Sequence, residues 1–316
     1  MYLVKYKEID FLNFDNIIGN NEVKAYLETS FENNSILHSY LFLGTEGIGK
    51  RQIALEFARA LLCLEGGKIG CTCKSCLCFN GQNHPDFVLV EPESGLIKID
   101  MIRNIIKKSA EKPILSGRKV YIINDFETAN LPAQNCLLKT LEEPPKDVVL
   151  ILISSNDNLI VNTIKSRCMI VKFKNISNDE LKEYAIKNIG YEDVSENLLE
   201  AFGGSIGKAT TMKDKQEKYL EIDNLLSNIS KSDIIEIMKS VDILGDKDHK
   251  LDVIDNLNYM IVSLYSKSKE EEKYANCIPL VNETIQKLKA NGNFKMSIDS
   301  MMLTMWEELN EDSNRN

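Results

Sequence analysis

Five short apolar runs alternate with stretches of helical character between residues 38 and 173, and this alternation constrains the possible fold more than any other feature. The runs cover residues 40–43, 87–90, 120–123, 148–153 and 169–173. They show little alternation of apolar with polar residues, which is typical of strands buried on both faces of a parallel sheet. We therefore expect an α/β domain in which a five-stranded parallel sheet is flanked by helices.

Helix start and stop signals lie between these strands and continue after them. Asp100 is predicted to cap a helix of isoleucines at helical spacing, and a helix over 131–143 is predicted to end at Pro144. After residue 173 the strand signals fade, and Ser177 and Glu180 form a capping box. Later amphipathic segments include one over 278–290.

This pattern predicts three domains. The first, over 1–173, carries the sheet and an inserted cysteine module at 63–78. A small helical domain follows over 174–213, and an all-α domain over 214–316 completes the chain, with a frayed tail.

A glycine-rich stretch, GTEGIGKR at 44–51, follows the first predicted strand and opens a helix. Gly44, Gly47 and Gly49 let backbone N–H groups and the positive helix end cradle phosphates, with Lys50 reaching the outer ones. Working phosphate loops of this type next carry Ser or Thr, whose hydroxyl ligates Mg²⁺. Arg51 stands there instead and has no acceptor atom.

A second departure concerns the same metal ion. An Asp is expected directly after the strand at 120–123, but the chain has Asn124, followed by Asp125. Asp125 could stand where a general base is expected, or a one-residue bulge could bring it to the metal. The two departures predict that the chain does not hydrolyse ATP. They leave open whether ATP or ADP binds, or whether the glycine turn only packs the helix on the sheet.

Five of the eight cysteines lie between residues 63 and 78, which predicts a structural zinc site. The predicted ligands are Cys63, Cys71, Cys73 and Cys76, with Cys78 as the alternate fourth thiol. Redox thiols and unconnected buried cysteines are the alternatives. Four thiolates leave no open coordination position, so the metal would staple the module and catalyse nothing. His84 is interpreted as part of a turn.

Charge and hydropathy exclude other classes. The formal net charge of −9 argues against a protein that coats nucleic acid by bulk electrostatics. The longest strongly apolar stretch, at 148–153, is far shorter than the roughly 20 residues of a membrane helix. The first residues lack the apolar core of a secretory signal, so we expect no membrane association and a cytoplasmic location.

Several motifs together resemble one family. They are FDNIIGNNEVKAYL, LHSYLFLGTEGIGK, the cysteine group, NHPDF at 83–87, KTLEEPP at 139–145 and NTIKSRC at 162–168. In this order they resemble the AAA+ clamp-loader family of bacterial DNA polymerase III, and within it the delta-prime branch. The resemblance implies an AAA+ domain, a helical lid and a helical collar.

The resemblance also implies function and partners. It implies a subunit of a five-membered ring with gamma/tau and delta, which opens a sliding clamp and sets it on primed DNA. The motor subunits gamma and tau keep the Ser/Thr, an Asp-Glu pair and an arginine at positions where this chain has Arg51, Asn124 with Asp125, and Gly207. We therefore expect a component of the polymerase holoenzyme without ATPase or polymerase activity of its own. An active gamma/tau-type motor and a zinc-containing DNA-binding module are the alternatives.

Arg167 in the S-R-C step is the residue to which the resemblance gives a catalytic role. It implies that Arg167 reaches into the ATP site of a neighbouring subunit and stabilises the charge on the transferring phosphoryl group. The simpler alternative is an ion pair with a carboxylate of its own domain.

Overall fold

A computed structural model describes residues 12–14, 17–245 and 247–310. The first residues, which were predicted to lack a secretory signal, and the last residues, which were predicted to fray, lie largely outside the described residues. The outer limits of the predicted first and third domains lie outside them as well. Within the described chain, the residues up to Leu181 form one compact unit together with Gly204–Gly207. Lys182–Gly203 and the residues from Lys208 onward form a second unit.

The first unit is built on a five-stranded sheet in which every neighbouring pair of strands is parallel. Its strands are β1 (Ser39–Leu43), β2 (Phe87–Val90), β3 (Lys119–Ile123), β4 (Val148–Ser154) and β5 (Met169–Lys172). Their order is β2-β3-β4-β1-β5. The predicted α/β fold with a five-stranded parallel sheet is confirmed, and each strand lies within one residue of its predicted limits.

Both faces of the sheet are buried, because successive side chains of a strand point to opposite faces. Tyr40 and Phe42 of β1 enter one core, and Leu41 and Leu43 enter the other. Helices cover both cores, so β1, β3 and β4 are buried along their whole length. The edge strands β2 and β5 are only partly buried.

Among the described residues, six α-helices lie wholly in the first unit: α1 (Asn21–Glu32), α2 (Lys50–Leu62), α3 (Lys74–Asn80), α4 (Ile99–Ser109), α5 (Leu131–Glu142) and α6 (Asn162–Lys165). Asn130 caps α5 by accepting a hydrogen bond from the Ala133 amide at 3.0 Å. The prediction that Asp100 caps α4 is wrong. The cap residue is Lys98, and Asp100 lies in the first turn, where its carboxylate pairs with Arg103 at 2.9 Å.

The remaining helices are α7 (Asn178–Tyr184), α8 (Glu196–Phe202), α9 (Ile206–Met212), α10 (Gln216–Asn228), α11 (Ile234–Ser240), α12 (Lys250–Ser268), α13 (Lys273–Lys289) and α14 (Phe294–Asn310). The division between the two units falls within α7 and α9. The region after residue 173 is therefore helical, as predicted, while the predicted domain limits at 173 and 213 stay predictions. None of the described helices has the length and apolar character needed to cross a bilayer.

A polar cluster joins three helices inside the second unit. Asp223 of α10 accepts hydrogen bonds from the Tyr259 hydroxyl at 2.7 Å and the Ser263 hydroxyl at 2.5 Å, both on α12. Asn197 of α8 donates to the same carboxylate at 3.1 Å. Because a partly buried carboxylate is costly unless its oxygens are paired, this cluster fixes the register of the three helices.

Candidate functional site

The glycine-rich loop, residues 44–50, joins the carboxyl end of β1 to the start of α2. Gly47 and Gly49 have φ values of 75° and 94°, in the left-handed region that favours glycine. Gly49 is the N-cap of α2, so the loop leads into the positive end of a 13-residue helix. The predicted strand, loop and helix are all present.

Lys50 is turned onto its own loop. Its ammonium donates to the carbonyl oxygens of Gly44 and Thr45, both at 2.6 Å, and the residue is 6% exposed. Burial lowers the pKa of Lys50, while the carboxylates of Glu127 and Asp125 partly oppose that shift. The lysine predicted to reach phosphate thus has carbonyl partners within the loop.

A turn from later in the chain packs against the same loop. The Gly207 amide donates to the Gly47 carbonyl at 3.0 Å. A Cβ atom on Gly47 would lie 2.3 Å from the Ser205 hydroxyl oxygen, so only glycine fits there. The turn over 205–207, which contains the Gly207 compared above with the motor subunits, is therefore a packing partner of the loop.

The two residues that depart from the magnesium-binding pattern have other partners. Arg51 pairs with Glu91 at 3.1 Å, with both side chains substantially exposed. The side-chain amide of Asn124 donates to the Asp125 carboxylate at 3.1 Å. The pairing of β3 with β2 is continuous through Ile123, and the backbone N–H of Asn124 then donates to the Val90 carbonyl. β3 therefore contains no bulge.

Acidic groups face this end of the sheet. Asp125 has a positive φ of 49°, and burial followed by the nearby Glu127 carboxylate raises its pKa. Burial acts to raise the pKa of Glu127, but hydrogen bonds from the Ser155 hydroxyl and amide outweigh it and lower the pKa. Glu127 was missed in the sequence because its role depends on contact with β4. The site has carboxylates near Lys50 but lacks the Ser/Thr hydroxyl and the Asp that the motif pairs with Mg²⁺.

The cysteine module brings four thiols together, and they are the predicted ligands Cys63, Cys71, Cys73 and Cys76. Their sulfur atoms all lie within 4.8 Å of one another, and those of Cys63 and Cys73 are 4.0 Å apart. A tetrahedral Zn²⁺ with sulfur at about 2.3 Å requires about 3.8 Å between sulfurs. The four thiols fit zinc, and Cys78 is not among them.

Electrostatics within the thiol group also suit a cation. Burial acts to raise the pKa of Cys73, but hydrogen bonds from the Cys76 and Leu64 amides outweigh it and lower the pKa to about 6. Burial and the neighbouring thiols raise the pKa of Cys76. Amide N–H groups of Glu65 and Cys73 also donate to sulfur at 3.4 Å. These donors stabilise the thiolate form that metal ligation requires.

A buried polar network connects the module to the sheet. Ser75, between two of the thiols, donates to the Leu62 carbonyl at 2.7 Å and contacts His84 Nε2 at 2.8 Å. Ser116 donates to the same carbonyl at 2.8 Å. His84 Nδ1 accepts from the Asp86 amide at 3.1 Å, which places the ring proton on Nε2. The network gives the NHPDF motif a structural role.

Asp86 completes the network. Its carboxylate accepts hydrogen bonds from three successive amides, those of Ile114, Leu115 and Ser116, at 2.7–2.8 Å. Burial acts to raise the pKa of Asp86, but these three donors outweigh it and lower the pKa. The loop before β3 is thereby fixed against the module.

Arg167 lies just before β5 and is held at both its backbone and its guanidinium. Its amide donates to the Ile164 carbonyl at 3.0 Å, and its carbonyl accepts from the buried Ser39 hydroxyl at 2.8 Å. The guanidinium pairs with Glu142 of the KTLEEPP motif at 2.6 Å. The own-domain pair weighed as the alternative is therefore present, and the side chain remains 34% exposed.

The arginine and the glycine-rich loop lie at opposite ends of the sheet. Arg167 is bonded to Ser39, the first residue of β1, whereas the loop begins after Leu43, the last. Five residues of strand separate the two points by about 13 Å. Arg167 is thus placed away from the loop of its own chain.

Gln134 is a further residue that the sequence did not reveal, and it lies near the carboxyl ends of β3 and β4, at the end of the sheet that carries the glycine-rich loop. It is buried in α5, and its amide nitrogen donates to the carbonyls of Ala129 and Leu159, both at 2.9 Å. Its oxygen accepts from the Val161 amide at 3.0 Å. A single side chain therefore joins α5 to the segment that carries Arg167.

Residues 19–177, about half of the chain, match the family model described as "DNA polymerase III, delta subunit". The chain is 34% identical over 177 residues to DNA polymerase III subunit delta' of Bacillus subtilis, which covers 56% of this chain and 53% of the relative. It is 40% identical over 136 residues to the Pseudomonas aeruginosa delta' subunit, covering 42% of each.

A relative named as a tau subunit and a solved gamma subunit-related protein match as well. The tau subunit of B. subtilis is 28% identical over 285 residues, covering 87% of this chain and 46% of the relative. A solved gamma subunit-related protein of Thermotoga maritima has a TM-score of 0.50 at 18% identity, covering 90% of this chain and 99% of that one. This last likeness concerns the fold alone. The chain spans about half or less of the length of the curated relatives it matches.

Proposed function

From the premise that this chain belongs to the DNA polymerase III delta family, as a clamp-loader subunit of the delta' type, we propose that it acts in its complex without hydrolysing ATP itself. It supplies Arg167 to the ATP site of a neighbouring gamma or tau subunit. The assembly, which also contains delta, loads a sliding clamp on primed DNA in the cytoplasm.

The position of Arg167 carries this proposal. The guanidinium is anchored at the end of the sheet opposite to its own glycine-rich loop, and a third of it is exposed. An arginine so placed can serve a nucleotide only on another chain. Arginines supplied in trans stabilise the charge of phosphoryl transfer and contribute about 10³ to 10⁵ in rate.

The partners of Lys50, Arg51 and Asn124 support the non-hydrolysing part. Arg51 offers no oxygen to Mg²⁺ and pairs with Glu91, and Asn124 follows a strand without a bulge. Without the hydroxyl and the Asp, the loop lacks both protein ligands that hold magnesium in working phosphate loops. The loop then serves the fold by packing against residues 205–207.

The thiol group supports a structural metal. Cys63, Cys71, Cys73 and Cys76 would hold Zn²⁺, which would supply a cross-link within the module and no chemistry. The Ser75–His84 network couples that cross-link to the body of the first unit.

Reconstitution of the five-subunit loader with an Arg167→Ala variant tests the proposal. We expect ATP turnover in the presence of clamp and primed DNA to fall by about 10³-fold or more at the site that receives the arginine. The isolated wild-type chain with Mg²⁺ should release phosphate at the background rate.

The outcomes separate the candidates. Wild-type turnover by the Arg167→Ala loader would refute the trans role. Phosphate release by the isolated chain that requires Mg²⁺ and disappears in Lys50→Ala would instead establish the gamma/tau-type motor, which the match to tau subunits over most of the chain favours.

A further inference from the structure

The guanidinium of Arg167 has most of its donors engaged within its own chain. Arginine has five N–H donors in a rigid planar fork. Nε and Nη2 both donate to Oε1 of Glu142, at 2.9 Å and 2.6 Å. Nη1 donates to the Thr163 carbonyl at 2.9 Å and to the Ser166 hydroxyl at 3.1 Å. Four of the five N–H donors are thus engaged, and the second Nη2 proton has no acceptor among these three residues.

Glu142 has an unfavourable position for a residue that serves stability alone. It is the last residue of α5, where the negative end of the helix dipole disfavours a carboxylate. Its side chain is 50% exposed, and an exposed ion pair contributes little to folding. Pro144 and Pro145 follow it and fix where the helix ends.

We propose that Glu142 is a positioning residue for Arg167. Resting on the trans role assigned above, the inference is that the carboxylate fixes the plane of the guanidinium, so that its remaining N–H donor faces the neighbouring subunit before the ring assembles. The rotamer freedom of a long side chain is then lost during folding and not in the transition state. The Ser39 hydroxyl and the Ile164 carbonyl fix the backbone that this side chain extends from.

The expected effect of Glu142→Ala in the reconstituted loader is a fall in kcat for ATP of about 10-fold to 100-fold, which is the scale of a misplaced catalytic group. The KM for ATP should stay unchanged, because the arginine acts on the transition state. Glu142→Gln should restore most of the rate, since its amide oxygen can accept the same two hydrogen bonds.

A double-mutant cycle distinguishes positioning from structural damage. If Glu142 acts only through Arg167, the Glu142→Ala change should have no further effect in the Arg167→Ala background. A purely structural loss would lower turnover and the unfolding midpoint by the same amount in both backgrounds. Glu183→Ala, which removes an exposed helical ion pair with Lys187, is the matched control and should leave kcat unchanged.

Two results would overturn the inference. One is wild-type kcat for Glu142→Ala while Arg167→Ala is impaired, which refutes only the positioning role. The other is full additivity of the two changes. Wild-type kcat for Arg167→Ala itself would instead refute the trans role on which the inference rests.

Discussion

Lys50 and Arg51 are adjacent cations with opposite surroundings. Lys50 is buried against carbonyl oxygens of its own loop, and Arg51 lies at the surface beside Glu91. The first contact fixes the turn, and the second engages a side chain that has no acceptor atom to offer a metal ion. Two neighbouring residues of the motif thus differ in burial and in the kind of partner they bind.

His84 should make the stability of the first unit depend on pH. Burial lowers its pKa from the ordinary value near 6.5, with Asp86 only partly opposing the shift. Because the unfolded chain takes up a proton that the folded chain resists, stability is lost as the pH falls below about 6.5. Between pH 7.5 and pH 5.5 we expect the free energy of unfolding in urea to fall by about 1 kcal/mol through this group.

A variant checks that assignment. His84→Gln should be less stable at pH 7.5, with a weaker dependence of the free energy of unfolding on pH over the same range. An unchanged pH dependence in His84→Gln would show that other groups are responsible.

Single residues were predictable where a motif names them. The left-handed turn at Gly47, the helix start at Lys50 and the clustering of the four thiols follow from motif spacing. The contacts of Gln134 and Glu142 could not be predicted in this way, because their partners lie 25–27 positions away in the sequence. No local pattern records such a contact.

The cysteine module contains a helix that the sequence did not predict. Cys73 is the N-cap of α3, and Cys76 lies in the helix, so the C-x-x-C step spans a helix start. The Cys76 sulfur lies together with those of Cys63, Cys71 and Cys73, and the Cys78 sulfur is not part of this group. The choice between Cys71 and Cys78 thus depends on the helical turn and not on sequence spacing.

Two serine substitutions in the module should behave differently. Freshly purified wild-type protein should contain about one zinc per chain by elemental analysis, and Cys78→Ser should retain it. Cys71→Ser should lose most of the metal. Its free energy of unfolding in urea should fall by several kcal/mol, because metal binding is linked to folding. Equal metal content in the two variants would refute the assigned ligand set.

Strands were easier to predict than helices. Continuous apolar runs bounded by turns have few other interpretations in an α/β pattern, so each strand limit was close. The last helices were less clear. The amphipathic segment predicted over 278–290 corresponds to α13, which begins five residues earlier, at Lys273, and contains Pro279.

The charge of the whole chain predicts weak contact with nucleic acid. With a formal net charge of −9, the isolated chain should bind primed DNA no better than about 10⁻⁴ M at 0.15 M salt. Fluorescence anisotropy with a labelled primer-template at two salt concentrations measures this directly. Micromolar binding that weakens steeply with salt would favour the zinc-containing DNA-binding module.

The class of the fold could be predicted from the sequence, but the limits of the compact units could not. Alternating strands and helices predicted the sheet, and fading strand signals predicted the helical remainder. The compact units, however, separate inside α7 and α9, and Gly204–Gly207 returns to the first unit. The contacts of this turn with Gly47 and with Ile176 explain the return, and the first of them joins residues about 160 positions apart.

The hydrogen bonds around the Leu62 carbonyl have a consequence for the ancestry of such chains. Ser75, His84 and Ser116 satisfy one another there, and only Ser75 belongs to the cysteine module. If a lineage lost the cysteine module, the His84 imidazole and the Ser116 hydroxyl would remain in the interior without Ser75 as a hydrogen-bond partner. Loss of the metal in evolution should therefore be accompanied by replacements at positions 84 and 116.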